Sequence, residues 1–239
     1  MRFYFVNTQE KMLQPRQQYK YIVFLAVFYF TGWAATYPMV YKMVSVHGVL
    51  ETGAIFLFPL SYAIADVITE VYGYQIARQI VWVALICGFV FACSLQFVTD
   101  MPPAPFWHGN VSFQYVFGHI LRAYSALTIA SVVGNFINIY AISKWKIHLR
   151  GKYFWLRSLL STGIGELTFT LIGGTIAYAG LEPWSKIVFL MMDGYLFKMI
   201  YAAIAVWPAY LIAMLLKQAE KTDVYDYGIN YNPLKFSLE

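Results

Sequence analysis

The chain has 239 residues, of which 60% are hydrophobic and 12% are charged, about half the charged fraction of an average soluble domain. A soluble core of this size cannot bury so much apolar surface, so the composition excludes a soluble enzyme, a soluble nucleic-acid-binding domain and a disordered chain. A polytopic membrane protein is the class that remains, and the net charge of +5 has to be explained within it.

Six apolar runs are each long enough to cross the hydrocarbon core, which takes about 20 helical residues. The predicted spans are Tyr21–Val40, Gly53–Thr69, Ile80–Val98, Phe117–Ser143, Leu156–Gly180 and Ile187–Leu216. We therefore predict an all-α bundle of six transmembrane helices. Two halves of three spans would run in opposite directions, so an inverted 3+3 repeat, as in many carriers, is a topological option.

The basic residues predict the orientation, because cytoplasmic loops are enriched in Lys and Arg. They concentrate in residues 1–20, in the loop after the fourth span and in the C-terminal tail. We expect a cytoplasmic N-terminal segment (1–20), a six-helix domain (21–216) and a cytoplasmic tail (217–239), in a bacterial inner membrane. The positive charge then reports topology, and no nucleic-acid partner is expected.

The second span carries two carboxylates where the bilayer should tolerate few. Asp66 and Glu70 are four residues apart on one helical face, with Tyr62 one turn earlier. Two carboxylates so close need a cation between them or the protonation of one. Asp66 is predicted to be functional, whereas Glu70 lies near enough to the interface to be either functional or simply solvated.

The fourth and fifth spans add further polar groups. A stripe along one face of the fourth span consists of Tyr124, Thr128, Ser131, Asn135 and Asn138. Such a stripe either holds helices together or contacts a substrate, and Asn135 and Asn138 are the stronger ligand candidates. In the fifth span Thr162 and Glu166 share a face. Glu166 has no basic residue nearby in sequence, so its partner must come from another helix or from a ligand.

Four more charged residues are predicted to form a gate or a charge network: Arg122, Arg157, Asp193 and Lys198. Arg122 either extends to the headgroups or pairs with an inner acid. Asp193 and Lys198 lie about 140° apart around one helix, so they either reach each other through the long lysine stem or pair across helices.

The sequence has no metalloprotease, hydrolase or P-loop motif, so we expect neither an enzyme nor a cofactor or metal site. No filter of the kind that channels use is visible either. A carrier for a polar, hydrogen-bonding solute fits best. The alternative is a non-transporting or substrate-binding membrane subunit of a larger transport complex.

Several motifs, in order along residues 56–236, resemble those of the queuosine precursor transporters, which are also known as a vitamin uptake transporter family. The motifs are Phe58-Pro59 with Asp66-Val67-Ile68-Thr69-Glu70-Val71-Tyr72-Gly73-Tyr74; Phe117-Gly118 with Arg122, Ser131 and Asn138; Gly151-Lys152 with Arg157, Ser161-Thr162 and Gly165-Glu166; and Asp193 with Lys198 and Tyr225-Asp226-Tyr227-Gly228.

The resemblance implies a six-helix inner-membrane importer of 7-deazaguanine precursors of the tRNA base queuosine, acting as a secondary carrier. The implied substrates are 7-cyano-7-deazaguanine and 7-aminomethyl-7-deazaguanine, with the free base queuine a further candidate. Asp66, Glu70, Asn138 and Glu166 would bind the base. This chain departs from the family by carrying Phe169 where an Asp is usual, three residues after Glu166. A homodimer is a candidate assembly in the lipid bilayer.

Overall fold

A computed structural model of the chain describes residues 19–46, 49–178 and 183–235. These ranges hold seven α-helices and one antiparallel hairpin of two short strands. The elements are α1 (Ile22–Met39), β1 (Met43–Val46), β2 (Val49–Thr52), α2 (Phe58–Tyr72), α3 (Tyr74–Thr99), α4 (Asn110–Phe117), α5 (Ile120–His148), α6 (Phe154–Tyr178) and α7 (Trp184–Glu220). A short 3₁₀ turn, Gly53–Phe56, precedes α2.

Within the described residues, six helical segments are long and apolar enough to cross a membrane, which confirms the six predicted spans. They are α1, α2 with the 3₁₀ turn before it, α3, α5, α6 and α7. Residues 1–18 of the predicted N-terminal segment 1–20 lie outside the described residues. The predicted end of the fifth span, Gly180, also lies outside them. The inverted repeat stays a prediction.

Two helix starts differ from the approximate predicted bounds for identifiable reasons. The fourth span does not begin at Phe117: that residue ends the short helix α4, and the spanning helix α5 starts at Ile120 after a break at Gly118 and His119. The third span starts at Tyr74 and not at Ile80, directly after Gly73. Gly73 has φ +86°, and a Cβ there would lie 2.8 Å from Oδ1 of Asp226, so this sharp junction favours glycine.

The ends of the helices show which loops share a side. The Glu220 carboxylate at the end of α7 accepts the backbone N–H of Tyr21 before α1 (2.9 Å) and the hydroxyl of Tyr72 at the end of α2 (2.9 Å). We call this side, where α7 ends and residues 221–235 follow, the tail end. The opposite side carries the β1–β2 hairpin and is called the hairpin end.

Helix α2 occupies the middle of the bundle. It packs against α1, α3, α5, α6 and α7, and all but two of its residues, Leu60 and Ala63, are buried. The outer helices, by contrast, expose many large apolar side chains, as expected where lipid is the solvent. The carboxylates of α2 are therefore forced to find partners inside the protein.

Candidate functional site

The centre of the bundle is built on a close crossing of α5 and α6. A Cβ added to Gly134 would lie 2.7 Å from the carbonyl oxygen of Gly165, and one added to Gly165 would lie 2.8 Å from that of Gly134. The two backbones thus touch, as small residues allow between membrane helices. Tyr62 of α2 packs against both glycines. This crossing brings the polar faces of α5, α6 and α2 together.

Asp66 is fully buried and well hydrogen-bonded. One carboxylate oxygen accepts the side-chain amide of Asn138 on α5 (2.7 Å). The other accepts the hydroxyl of Thr162 (3.1 Å) and that of Ser158, both on α6. All three donors are neutral, so the carboxylate is held without a counter-ion. The structure thus brings together three of the predicted site residues, Asp66, Asn138 and Thr162.

The neighbouring polar groups lack such partners. Among the described residues, no hydrogen-bond partner is found for the Tyr62 hydroxyl, for either side-chain atom of Asn135, for Oδ1 of Asn138 or for the Glu166 carboxylate oxygens, although all are buried. Buried polar atoms in proteins are normally satisfied, so a concentration of exceptions requires an explanation. Together with Asp66 and the two hydroxyl residues that bind it, these residues form what we call the central site: Tyr62, Asp66, Asn135, Asn138, Ser158, Thr162 and Glu166.

The partner of Glu166, which the sequence left to another helix or to a ligand, is Lys198 on α7. The ammonium of Lys198 lies 3.3 Å from Oε2 of Glu166. The two groups are close enough for an ion pair, but their relative orientation is not that of a hydrogen bond. The same ammonium donates to the Thr170 hydroxyl (3.3 Å). Lys198 therefore pairs across helices and not with Asp193 on its own helix, which is the second of the two options that the sequence left open.

Glu70 is placed apart from the central site and is saturated by cations. Its carboxylate oxygens lie 2.7 and 3.1 Å from the Arg157 guanidinium, and one of them lies 2.6 Å from the Lys217 ammonium. Asp66 and Glu70 thus share no cation, although they occupy one face of α2. The structure therefore separates Glu70 from Asp66, although the sequence predicted them in one binding site. It also separates Arg157 from Arg122, although the sequence predicted them in one gate.

Two more residues complete this arrangement, which we call the tail-end cluster: Glu70, Lys146, Arg157, Lys217 and Asp223. The Lys146 ammonium contacts Asp223 (2.6 Å) and two backbone carbonyls, those of Glu70 and Val224. Lys217 contacts Asp223 at 2.8 Å. Partial burial opposes the ionisation of Asp223, but hydrogen bonds from Lys146 and Lys217 outweigh it and hold the pKa of Asp223 below its ordinary value.

The residues after α7 pack across this end of the bundle. The Asp226 carboxylate accepts the backbone N–H of Tyr74 at the start of α3 (2.9 Å) and the hydroxyl of Ser143 on α5 (2.5 Å). The Arg78 guanidinium donates to the carbonyls of Asn230 and Asn232. The tail thereby ties α3, α5 and α7 together over the tail-end cluster.

The remaining predicted gate residues lie toward the hairpin end. Arg122 is exposed and lies near Tyr41, so it takes no part in the central site. Asp193 is half-buried on α7, close to Glu51 of β2. Burial raises the pKa of Glu51, an effect that nearby Lys198 opposes. The four residues predicted as one gate thus occupy three separate places.

Sequence reasoning missed four members of these two sites: Ser158, Lys146, Lys217 and Asp223. By sequence, both lysines count toward the basic segments that predict topology. For Lys146 a signal existed, because it continues the spacing of the polar face of α5 through Asn138 and Ile142 in steps of four. Within the described ranges no group of three or more His, Cys, Asp or Glu is placed to hold a metal ion.

A small cavity lies beside Asp66, between α2, α6 and α7. It is lined by Pro59, Ala63, Ser158, Leu159, Thr162, Ala202 and Val206. Ser158 and Thr162, whose hydroxyls bind Asp66, belong to this lining. The volume is about 10 Å³, roughly the room of one water molecule. This space is too small for a flat heterocycle.

Comparison with known proteins gives the family. Residues 52–212 match the model of the family described as "putative vitamin uptake transporter". The chain is 23% identical to a "probable queuosine precursor transporter" of Bacillus subtilis over 184 residues, 77% of this chain and 80% of the relative. It is 24% identical to a "queuosine precursor transporter" of Escherichia coli over 217 residues, 87% of this chain and 94% of the relative. No solved structure matches the chain. Since the family match covers well over half of the sequence, the chain belongs to this vitamin uptake transporter family.

Proposed function

We propose that the chain is a secondary carrier that imports 7-deazaguanine precursors of queuosine through a bacterial inner membrane. The observation that carries the proposal is the central site, where buried polar atoms of α2, α5 and α6 lack protein partners within the described residues. The names of the two relatives support the substrate class. The basic loops support a cytoplasmic tail end.

The chemistry of the central site suits a guanine-like edge. Such an edge presents an exocyclic amine as a donor and a carbonyl oxygen as an acceptor. Oδ1 of Asn138 can accept from the donor side, and the amide of Asn135 can donate to the carbonyl. Tyr62 adds a buried aromatic face with a free hydroxyl. Polar residues that only hold helices together would not require this mixture of unmatched donors and acceptors.

A carrier needs the bound ligand to be cut off from one side while it meets the other. In this structure the central site is buried, and the tail-end cluster with the tail over it closes the side that we assign to the cytoplasm. We place Glu70 and Arg157 in that closure and not in ligand binding. Arg122 and Asp193 then belong to the entrance at the hairpin end.

The test is transport by the purified chain alone. Proteoliposomes that contain only this protein should take up labelled 7-cyano-7-deazaguanine without ATP, and Asn135→Leu proteoliposomes should not. A carrier of this kind saturates with substrate and is inhibited by unlabelled precursor. The matched control is Asp100→Asn, an exposed acid of the hairpin end whose carboxylate accepts a hydrogen bond from Gln96.

The alternative is a membrane subunit that binds the precursor for a larger transport complex. In that case the purified chain would bind labelled precursor but would not move it until a partner protein was added. Absence of both binding and transport for every 7-deazaguanine tested would contradict the proposed substrate class.

A further inference from the structure

The Lys198 ammonium occupies a site of unusual composition at the edge of the central site. It lies 5.2 Å from the ring centroid of Phe58 on α2 and 4.8 Å from that of Phe169 on α6. The two rings pack against each other with centroids 4.3 Å apart. The buried Glu166 carboxylate lies 3.3 Å from the same ammonium. One carboxylate and two aromatic rings thus surround a primary ammonium group.

This combination is the one by which proteins recognise ammonium ligands. The negative faces of aromatic rings attract a cation, and the attraction is strongest where water is excluded. A neighbouring carboxylate supplies the opposite charge and a hydrogen-bond acceptor. Phe169 is needed for this arrangement, because an acidic or aliphatic side chain at that position would remove one of the two rings.

We propose that Glu166, Phe58 and Phe169 form a subsite for a primary ammonium group on the ligand, and that Lys198 occupies this subsite as a placeholder. The inference rests on the proposed function, since it assigns a part of the ligand to a part of the central site. It goes beyond that function in predicting which ligands compete with a residue of the protein itself.

The structure provides a place for Lys198 when a ligand displaces it. Helical side chains lean toward the N-terminal end of their helix, which for Lys198 is the turn that contains Gly194. A Cβ on Gly194 would lie 3.1 Å from Oε1 of Glu51, so the Glu51 carboxylate lies directly against that turn. Asp193 is adjacent on the same helix, and both acids act electrostatically on one another.

An exchange of partners therefore keeps both Lys198 and Glu166 paired. Before binding, Lys198 neutralises Glu166, and afterwards the ligand ammonium does so while Lys198 turns toward Glu51 and Asp193. A ligand without a positive charge gains nothing from this exchange, because it leaves Lys198 in place. The subsite thus separates cationic from neutral members of one ligand series.

The experiment measures the affinities of two ligands that share one ring. 7-Aminomethyl-7-deazaguanine carries the primary ammonium, and 7-cyano-7-deazaguanine is neutral. In Lys198→Met, which keeps the apolar stem, we expect the aminomethyl compound to bind about tenfold tighter or more, because its competitor is gone. The affinity for the cyano compound should change by less than about threefold, because this neutral compound does not compete with the Lys198 ammonium.

Three variants act as controls. Lys198→Arg retains a cation, so the ratio of the affinities for the aminomethyl and cyano compounds should stay near that of the wild type. Glu51→Gln removes the alternative partner of Lys198 and should weaken only the aminomethyl compound. Lys144→Met removes a lysine that stacks on Tyr231 at the tail end, 4.1 Å from the ring centroid, and should change neither affinity.

Two outcomes would overturn the inference. If Lys198→Met weakens both compounds, Lys198 contacts the ligand directly; if it leaves the aminomethyl affinity unchanged, Lys198 does not occupy its subsite. Either result leaves the proposed function standing as long as the wild type binds one of the two compounds. Failure of the wild type to bind either compound would instead count against the proposed function.

Discussion

Glu70 and Glu166 are both fully buried glutamates of membrane-spanning helices, yet their surroundings differ sharply. Glu70 receives contacts from Arg157 and Lys217 on both carboxylate oxygens. Glu166 has one ion pair with Lys198 and, within the described residues, no hydrogen bond to its carboxylate. Glu70 is thus suited to hold helices together, whereas Glu166 retains hydrogen-bonding capacity for a ligand.

The comparison shows that burial alone does not identify a ligand-binding residue in a membrane protein. A buried charge that is fully paired is costly to disturb, because removing one partner leaves the others uncompensated. A buried polar group with unused capacity is costly to keep unless another state of the protein satisfies it. Substitutions in the two regions should therefore change different measured quantities.

The largest expected effect is on folding at the tail end. Glu70→Gln removes the anion between Arg157 and Lys217, and breaking a buried pair in this way costs about 3–5 kcal/mol. We expect little folded protein from this variant, with a strongly lowered melting temperature in detergent. Asp100→Asn, an exposed acid, should melt like the wild type. Normal folding of Glu70→Gln would mean that the tail-end cluster does not hold the helices.

An intermediate effect is expected at Asp66, which belongs to the central site but is satisfied like Glu70. In Asp66→Asn the amide nitrogen faces either the Asn138 amide or the two hydroxyls, so at least one hydrogen bond to a charged acceptor is lost, at about 1.5–3 kcal/mol. Melting temperature and ligand affinity should both fall. A variant with lowered ligand affinity but an unchanged melting temperature would show that Asp66 acts in ligand binding, like Glu166, and not in holding helices together, like Glu70.

The smallest expected effect is the pH dependence of the tail-end cluster. Since the folded-state pKa of Asp223 is lowered, its contribution to stability is present above the ordinary aspartate pKa of about 3.9 and is lost as the pH falls through the lowered value. The melting temperatures of wild type and Asp223→Asn should differ at neutral pH and converge below about pH 4. A constant difference across this range would contradict the assigned ion pairs.

Much of the fold follows from local properties of the sequence. Apolar length predicts the six spans, and Lys and Arg placement predicts which loops share a side, because both depend on contiguous residues. The break between α4 and α5 was missed, because Gly118 and His119 interrupt a run that is apolar on both sides. The β1–β2 hairpin was missed because its strands have only four residues each.

The sites were only partly predictable because partner choice depends on tertiary structure. Helical spacing placed Asp66 and Glu70 on one face, but it could not show that Asp66 meets hydroxyls while Glu70 meets cations. The separation of Arg122 from Arg157 depends on depth and rotation within the bundle. Lys146 and Lys217 were assigned to topology because position at a span end does not reveal that a side chain turns inward.

The most direct test of the central claim is the Asn135→Leu variant. Neither side-chain atom of Asn135 has a hydrogen-bond partner among the described residues, so leucine of similar size should leave the melting temperature unchanged or raise it. The stabilisation of the protein by 7-cyano-7-deazaguanine should disappear in the same variant. A lowered melting temperature with ligand stabilisation intact would show that Asn135 holds helices together, and would contradict the account of the central site.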